Sequence, residues 1–67
     1  MSVARVTELT STSTKSFEDA IQQGVDRANQ SLRNVKAAWV KEQEVSVENG
    51  KIADYKVILK VTFVLDD

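Results

Sequence analysis

The stretch Val45-Ser46-Val47-Glu48-Asn49-Gly50-Lys51-Ile52-Ala53-Asp54-Tyr55-Lys56-Val57 decides the fold. Asn-Gly at its centre is the strongest short-range hairpin signal, because a type I′ turn needs positive φ at both central residues. Outward from Glu48-Asn49-Gly50-Lys51, two long segments read as strands, Val35 to Val47 and Ile52 to Leu65. The second alternates cleanly. Tyr55, Val57, Leu59, Val61, Phe63 and Leu65 fall on one face, which is expected to receive a helix; Lys56, Ile58, Lys60, Thr62 and Val64 fall on the other.

That helix lies upstream. Phe17, Ile21, Val25, Ala28 and Leu32 recur at helical spacing and make one apolar stripe. Ala20 and Gly24 flank the stripe and allow close approach, while Asp19, Gln22, Gln23, Asp26 and Gln30 take the far side, with Glu18 at its margin. Ser13 is expected to cap the helix, inside a Ser11-Thr12-Ser13-Thr14 run that favours a turn. The helix should end near Asn34, with early acids and a late Arg33 suiting its dipole. Val3 to Thr10 reads as a first strand whose inward face the sequence leaves open. The expected architecture is one α+β domain over residues 1–67, in the order β-α-β-β, with a three-stranded antiparallel sheet partly wrapping one helix.

Composition narrows the function. Lys and Arg number 9 against 10 Asp and Glu, a net charge of −1, which is unlike a nucleic-acid binder. The absence of Cys removes disulfides and thiolate metal sites, and the absence of His removes the commonest general base. An enzyme is not expected. No apolar run approaches the roughly 18 residues of a membrane span. Met1-Ser2-Val3-Ala4-Arg5 has no apolar core of a signal peptide behind it, so the expected location is cytoplasmic. A 67-residue chain without disulfides or proline has little independent stability. One helix covers one face of the sheet and leaves the half-apolar second face wet. Self-association is the physical remedy.

Taken together, the residues resemble the dodecins. The resemblance runs over nearly the whole chain: the element order, Ser16-Phe17-Glu18-Asp19-Ala20 followed by Arg27-Ala28, and the closing Tyr55, Val57, Val61, Phe63 and Leu65. It implies a hollow homododecamer, helices outside and sheets inside, that stores flavin (FMN or riboflavin) in pairs between subunits rather than catalysing a reaction. A Trp in the second strand stacks on the flavin ring, and a Gln in the third hydrogen-bonds to it.

Alignment to that pattern puts Ala37 in the stacking position, Lys56 in the Gln position, and Glu44 where many bacterial members carry a phosphate-compatible Arg. Ala has no π-face, Lys is donor-only, and Glu repels a phosphate. The flavin sandwich is therefore expected to be lost or altered. Trp39, two residues beyond Ala37, projects from the same face of a regular strand. It offers a displaced platform for a flavin, or it fills space between subunits.

Glu42 and Glu44, with Ser46 and Glu48, are expected on one face of the second strand. Carboxylates repeated around a symmetry axis suit hard cations such as Ca²⁺ or Mg²⁺. The bland alternative is a solvated edge paired with Lys41, Lys51 or Lys60. The run Ala38-Trp39-Val40-Lys41-Glu42-Gln43 is similar to the branch described as calcium dodecins. Ligand-binding candidates are thus Ala37, Trp39, Gln43, Glu44 and Lys56, and metal candidates Glu42 and Glu44. The expected partners are copies of the chain itself and a small molecule, with neither nucleic acid nor membrane. The leading reading is a non-enzymatic shell for small-ligand binding, storage or buffering. A calcium shell and a flavin binder using Trp39 stand as alternatives.

Overall fold

A computed structural model describes residues 2–65. Met1, Asp66 and Asp67, included in the domain expected from sequence, lie outside the described residues. The elements are β1 (Ala4–Ser13), α1 (Phe17–Ser31), β2 (Val35–Glu48) and β3 (Lys51–Val64). The sheet has the order β1-β3-β2 and is antiparallel throughout. The expected β-α-β-β order and three-stranded sheet are present. Asn49 and Gly50 have φ of 52° and 75°, the two positive values that a two-residue type I′ turn needs. Glu48 and Lys51 pair as the last rung of the hairpin rather than belonging to the loop.

The core confirms the reading of β3: Val57, Leu59 and Val61 are fully buried. Pairing with β3 settles the face that the sequence left open on β1. Thr7, Leu9, Ser11 and Ser13 oppose Val61, Leu59, Val57 and Tyr55, so they share the helix side, and Val6, Glu8, Thr10 and Thr12 share the open side. The most buried helical residues are Ala20, Gly24 and Ala28; Phe17, Ile21 and Leu32 of the expected stripe pack around them. Small residues take the centre because the helix lies tight on the sheet. A Cβ on Gly24 would sit 2.6 Å from Leu59 Cδ1 and 3.2 Å from Leu9 Cδ1.

Three boundary expectations are corrected. Three residues of the hydroxyl run are strand, since β1 continues through Ser13, paired with Tyr55, and only Thr14 falls in the bend that follows. A residue held in that ladder cannot open the helix. The N-cap is instead Ser16, in extended conformation (φ −170°), whose hydroxyl accepts the Asp19 N–H at 2.9 Å. At the other end the C-cap is Leu32, so Arg33 lies beyond the helix and no basic residue occupies its last turn.

Ser13 has a different task. Its buried hydroxyl accepts the Lys15 N–H (2.9 Å) and donates to Asp19 Oδ2 (2.6 Å), which also accepts from Gln23 Nε2 (2.6 Å). The Ser13 bond, then the Gln23 bond, hold the Asp19 carboxyl below its ordinary value. Its contribution to stability is then complete above the unfolded carboxylate range and is lost as pH falls through the lowered folded value. We expect the thermal midpoint to fall on acidification below about pH 4. Asp19→Asn should make that fall shallower, and an unchanged slope would remove Asp19 from the account. Ser16→Ala should cost about 1 kcal/mol in urea unfolding by leaving the Asp19 N–H uncapped.

Candidate functional site

The open side of the sheet, opposite α1, gathers the candidate residues by register. On β2, Ala37, Trp39, Glu42, Glu44 and Ser46 pair with Thr62, Lys60, Ile58, Lys56 and Asp54 of β3. Trp39 does share the face of Ala37, and it is half exposed. Two register shifts sit at Lys36 and Lys41, where one extra β2 residue is inserted without a β3 partner. The shift at Lys41 keeps Glu42 and Glu44 on the open side. It also lets Lys41 reach across β3 to Glu8 of β1, Nζ to Oε2 3.3 Å.

Glu42, Gln43, Glu44, Lys56 and Ile58 line a recess of about 230 Å³. Gln43 borders it from the other side of the strand, being paired with the buried Val57. Inside, Lys56 Nζ donates to Glu44 Oε1 at 2.8 Å. That hydrogen bond, then the Glu44 charge, raises the Lys56 ammonium above its ordinary value, with smaller contributions from Glu42 and Asp54. The site therefore carries its own counter-ion. The sequence reading allowed Lys56 to be ion-paired and gave, as the alternative to a cation site, carboxylates paired with Lys41, Lys51 or Lys60. For Glu44 the register gives a different partner: it stands directly opposite Lys56, Lys41 is engaged by Glu8, and Glu48 stands opposite Lys51.

The expected acidic face is only partly present. Glu42, Glu44 and Ser46 share it, and Ser46 Oγ bonds Asp54 Oδ1 at 2.8 Å. A further register shift after Ser46 breaks the alternation before Glu48, which ends the hairpin opposite Lys51. Among the described residues, no three Asp or Glu side chains converge closely enough to hold a metal ion. Ile58, Asp54 and Glu8 were missed from sequence as neighbours of the site, because which residue faces which depends on the inserted Lys41.

Distances along β3 impose a further constraint. Ala37 stands opposite Thr62 and Glu44 opposite Lys56, six residues apart, or about 20 Å of strand. Trp39, opposite Lys60, is about 13 Å from Lys56 by the same measure. One chain cannot place residues 37 and 56 on one small ring. Any site using both is built from two copies.

The family model for dodecins matches residues 3–66. This chain belongs to the dodecin family. Calcium dodecin of Mycobacterium tuberculosis is 35% identical over 63 residues, spanning 94% of this chain and 89% of the relative. The solved dodecin of Streptomyces davaonensis superposes with a TM-score of 0.92 at 36% identity, covering 98% of this chain and 97% of that one. A crystal structure of the M. tuberculosis calcium dodecin, described as calcium chelating with a novel calcium-binding site, gives a TM-score of 0.81 at 35% identity, covering 96% and 91%. The dodecin fold expected from sequence is thus shown, and dodecins as a family assemble into dodecamers.

With Ala37 and Lys56 at the positions the sequence alignment gives them, the residues would not fit the flavin sandwich of the family pattern. On the alignment drawn from sequence, Ala37 would present a methyl group in the stacking position, and the Lys56 ammonium is bonded to Glu44. For a hard cation the oxygen chemistry of Glu42 and Glu44 is suitable, but two carboxylates from one chain are too few.

Proposed function

We propose that this dodecin is a non-enzymatic, shell-forming protein that binds a small ligand between copies, on the open sheet face, without the flavin sandwich. The Glu44–Lys56 ion pair carries the reading, because it occupies the recess with a neutralised, polar pair in place of a ring-recognising amide. The ligand chemistry suited to such a recess is small and charged, with the shell acting as store or buffer. The candidate residues are Glu42, Glu44 and Lys56, bordered by Gln43; Ala37 and Trp39 lie farther along the same face.

Calcium is the second reading, favoured by the 35% identity to calcium dodecin. Glu42 and Glu44 from several copies would supply the oxygen ligands, with Lys56 displaced from Glu44 as the cation enters. A flavin bound on Trp39 is the third reading. The ring is exposed on the right face, but about 13 Å of strand separates it from the Lys56 position within one chain.

Native mass spectrometry of the purified protein tests all three together. A dodecamer with small divalent-ion increments, whose thermal midpoint falls in chelator, supports the calcium reading, since a ligand bound only by the folded form stabilises it. Flavin-sized increments abolished by Trp39→Ala, with the assembly intact, would establish the flavin reading in its place. A monomer would remove the shell itself. We expect the dodecamer, and no flavin.

A further inference from the structure

We propose that Asn49 is a site of spontaneous covalent modification: its carboxamide converts to a carboxylate through a cyclic imide formed with Gly50, leaving aspartate or isoaspartate at the hairpin tip. The inference is independent of what the open sheet face binds.

The reaction needs only the turn and water. The Gly50 backbone nitrogen, after losing its proton, attacks Asn49 Cγ. The N–Cγ bond forms, the Cγ–Nδ2 bond breaks, and ammonia leaves. Water then opens the imide at either carbonyl. Cleavage between the nitrogen and Cγ gives aspartate, and cleavage between the nitrogen and the Asn49 main-chain carbonyl gives isoaspartate. Water is consumed and ammonia released, with no change of oxidation state.

Asparagine is a thermolabile residue, but its neighbours decide which one reacts. Asn29, Asn34 and Asn49 are all exposed, so exposure does not separate them. Asn29 lies inside α1 and is followed by Gln30, whose N–H belongs to the helix. Asn34 is pinned to the end of β3: its C=O accepts the Val64 N–H at 3.0 Å, and its Nδ2 donates to the Val64 C=O at 3.4 Å. It is followed by Val35, whose branched side chain crowds the attacking nitrogen. Only Asn49 is followed by glycine. Among the described residues, neither the Asn49 carboxamide nor the Gly50 N–H has a hydrogen-bond partner. A Cβ built on Gly50 would meet nothing within 4 Å, so the space beside that residue is open.

Ring closure requires the Gly50 nitrogen to swing toward Cγ, which the hairpin turn opposes, so the tip must open locally. Its surroundings permit that. Among the described residues, β1 stops at Ser13, opposite Tyr55, and residues 46–48 and 51–54 continue as a two-stranded arm. A two-stranded ribbon is marginal in water. The register shift after Ser46 leaves Ala53 without a β2 partner, and the last apolar pair, Val47 and Ile52, is 59% and 54% exposed. Little burial holds the tip shut.

The two products differ in consequence. Aspartate tolerates the left-handed conformation as asparagine does, so the turn survives with an added negative charge beside Glu48. Isoaspartate carries the chain through its side-chain carbon. The longer connection no longer suits a two-residue turn closing on the Glu48–Lys51 rung. About 20 Å of strand separates Gly50 from Lys56, so the recess lies outside the change.

Trypsin gives a clean test, because it places Asn29 in residues 28–33, Asn34 in 34–36 and Asn49 in 42–51. We would hold the purified protein at neutral and at mildly alkaline pH, record its native mass, and map the peptides over time after digestion under mildly acidic conditions. The proposal predicts that 42–51 alone becomes heavier, by the exchange of NH2 for OH, as two separable isomers. Conversion should be faster at the higher pH, since the attacking nitrogen must lose a proton. Asn49→Gln, whose longer side chain closes only a larger ring, should lose it. Equal conversion of 28–33 or 34–36 would overturn the assignment to Asn49. An unchanged 42–51 in the native protein would overturn the proposal outright, and its conversion only after unfolding in urea would name the turn as the shield.

Discussion

Leu59→Ala is expected to lower the unfolding free energy by about 3 kcal/mol, from the 2–5 kcal/mol range for a fully buried leucine. Leu59 is wholly buried at the middle of β3, between Leu9 on β1 and Val40 on β2, with Gly24 of the helix directly above it. Truncation removes the apolar contacts and leaves a cavity that the chain cannot close easily. The helix backbone already approaches as near as Gly24 allows, and the sheet beneath is fixed by its ladder. For a 67-residue chain such a loss is a large part of the stability available. Urea unfolding at one fixed protein concentration would measure it, because assembly makes apparent stability concentration-dependent. A cost below about 1 kcal/mol would mean that the helix does not seat on Leu59.

The same contact shows what the sequence revealed and what it withheld. The alternation of β3 and the Asn49-Gly50 turn were readable, because strand faces and type I′ turns are set by local chemistry. The helix stripe was readable in direction, and Ala20 and Gly24 were readable as permitting close approach, but not as the centre of the contact. Periodicity marks large apolar residues, whereas a helix pressed onto a sheet puts its smallest residues, Ala20, Gly24 and Ala28, at closest approach. Ser13 was misread as a cap because hydroxyl residues suit both a cap and a strand edge. Only its pairing with Tyr55 separates the two.

The residues around the recess could be named as candidates from sequence, but their geometry could not be read there. Glu42, Glu44 and Lys56 could be named from their positions. Their pairing depends on the extra residue at Lys41, and no local pattern announces such an insertion. Without it Glu44 would not stand opposite Lys56 on the open side, and Lys41 would not reach Glu8. Assembly lies a further step away. The roughly 20 Å of strand between the residue 37 and residue 56 positions is a property of register, and it requires a second copy.

Restoring the flavin contacts tests that geometry. Ala37→Trp combined with Lys56→Gln should raise riboflavin affinity tenfold or more, about 1.4 kcal/mol. The indole supplies the stacking face that a methyl group lacks, and the amide supplies both a donor and an acceptor. Removing Lys56 leaves Glu44 without its partner, but both side chains are well exposed, so the loss to folding is small. Glu44 then remains as an uncompensated negative charge beside the recess. We therefore expect riboflavin to gain more than FMN, whose phosphate that charge repels. Because the two positions meet only across copies, the gain should appear in the assembled protein and vanish under conditions that dissociate it. Quenching of flavin fluorescence, read alongside the oligomeric mass, would report both. An assembled double variant with no gain would show that residues 37 and 56 do not converge on one ring, and would remove the two-copy site from the account of this protein.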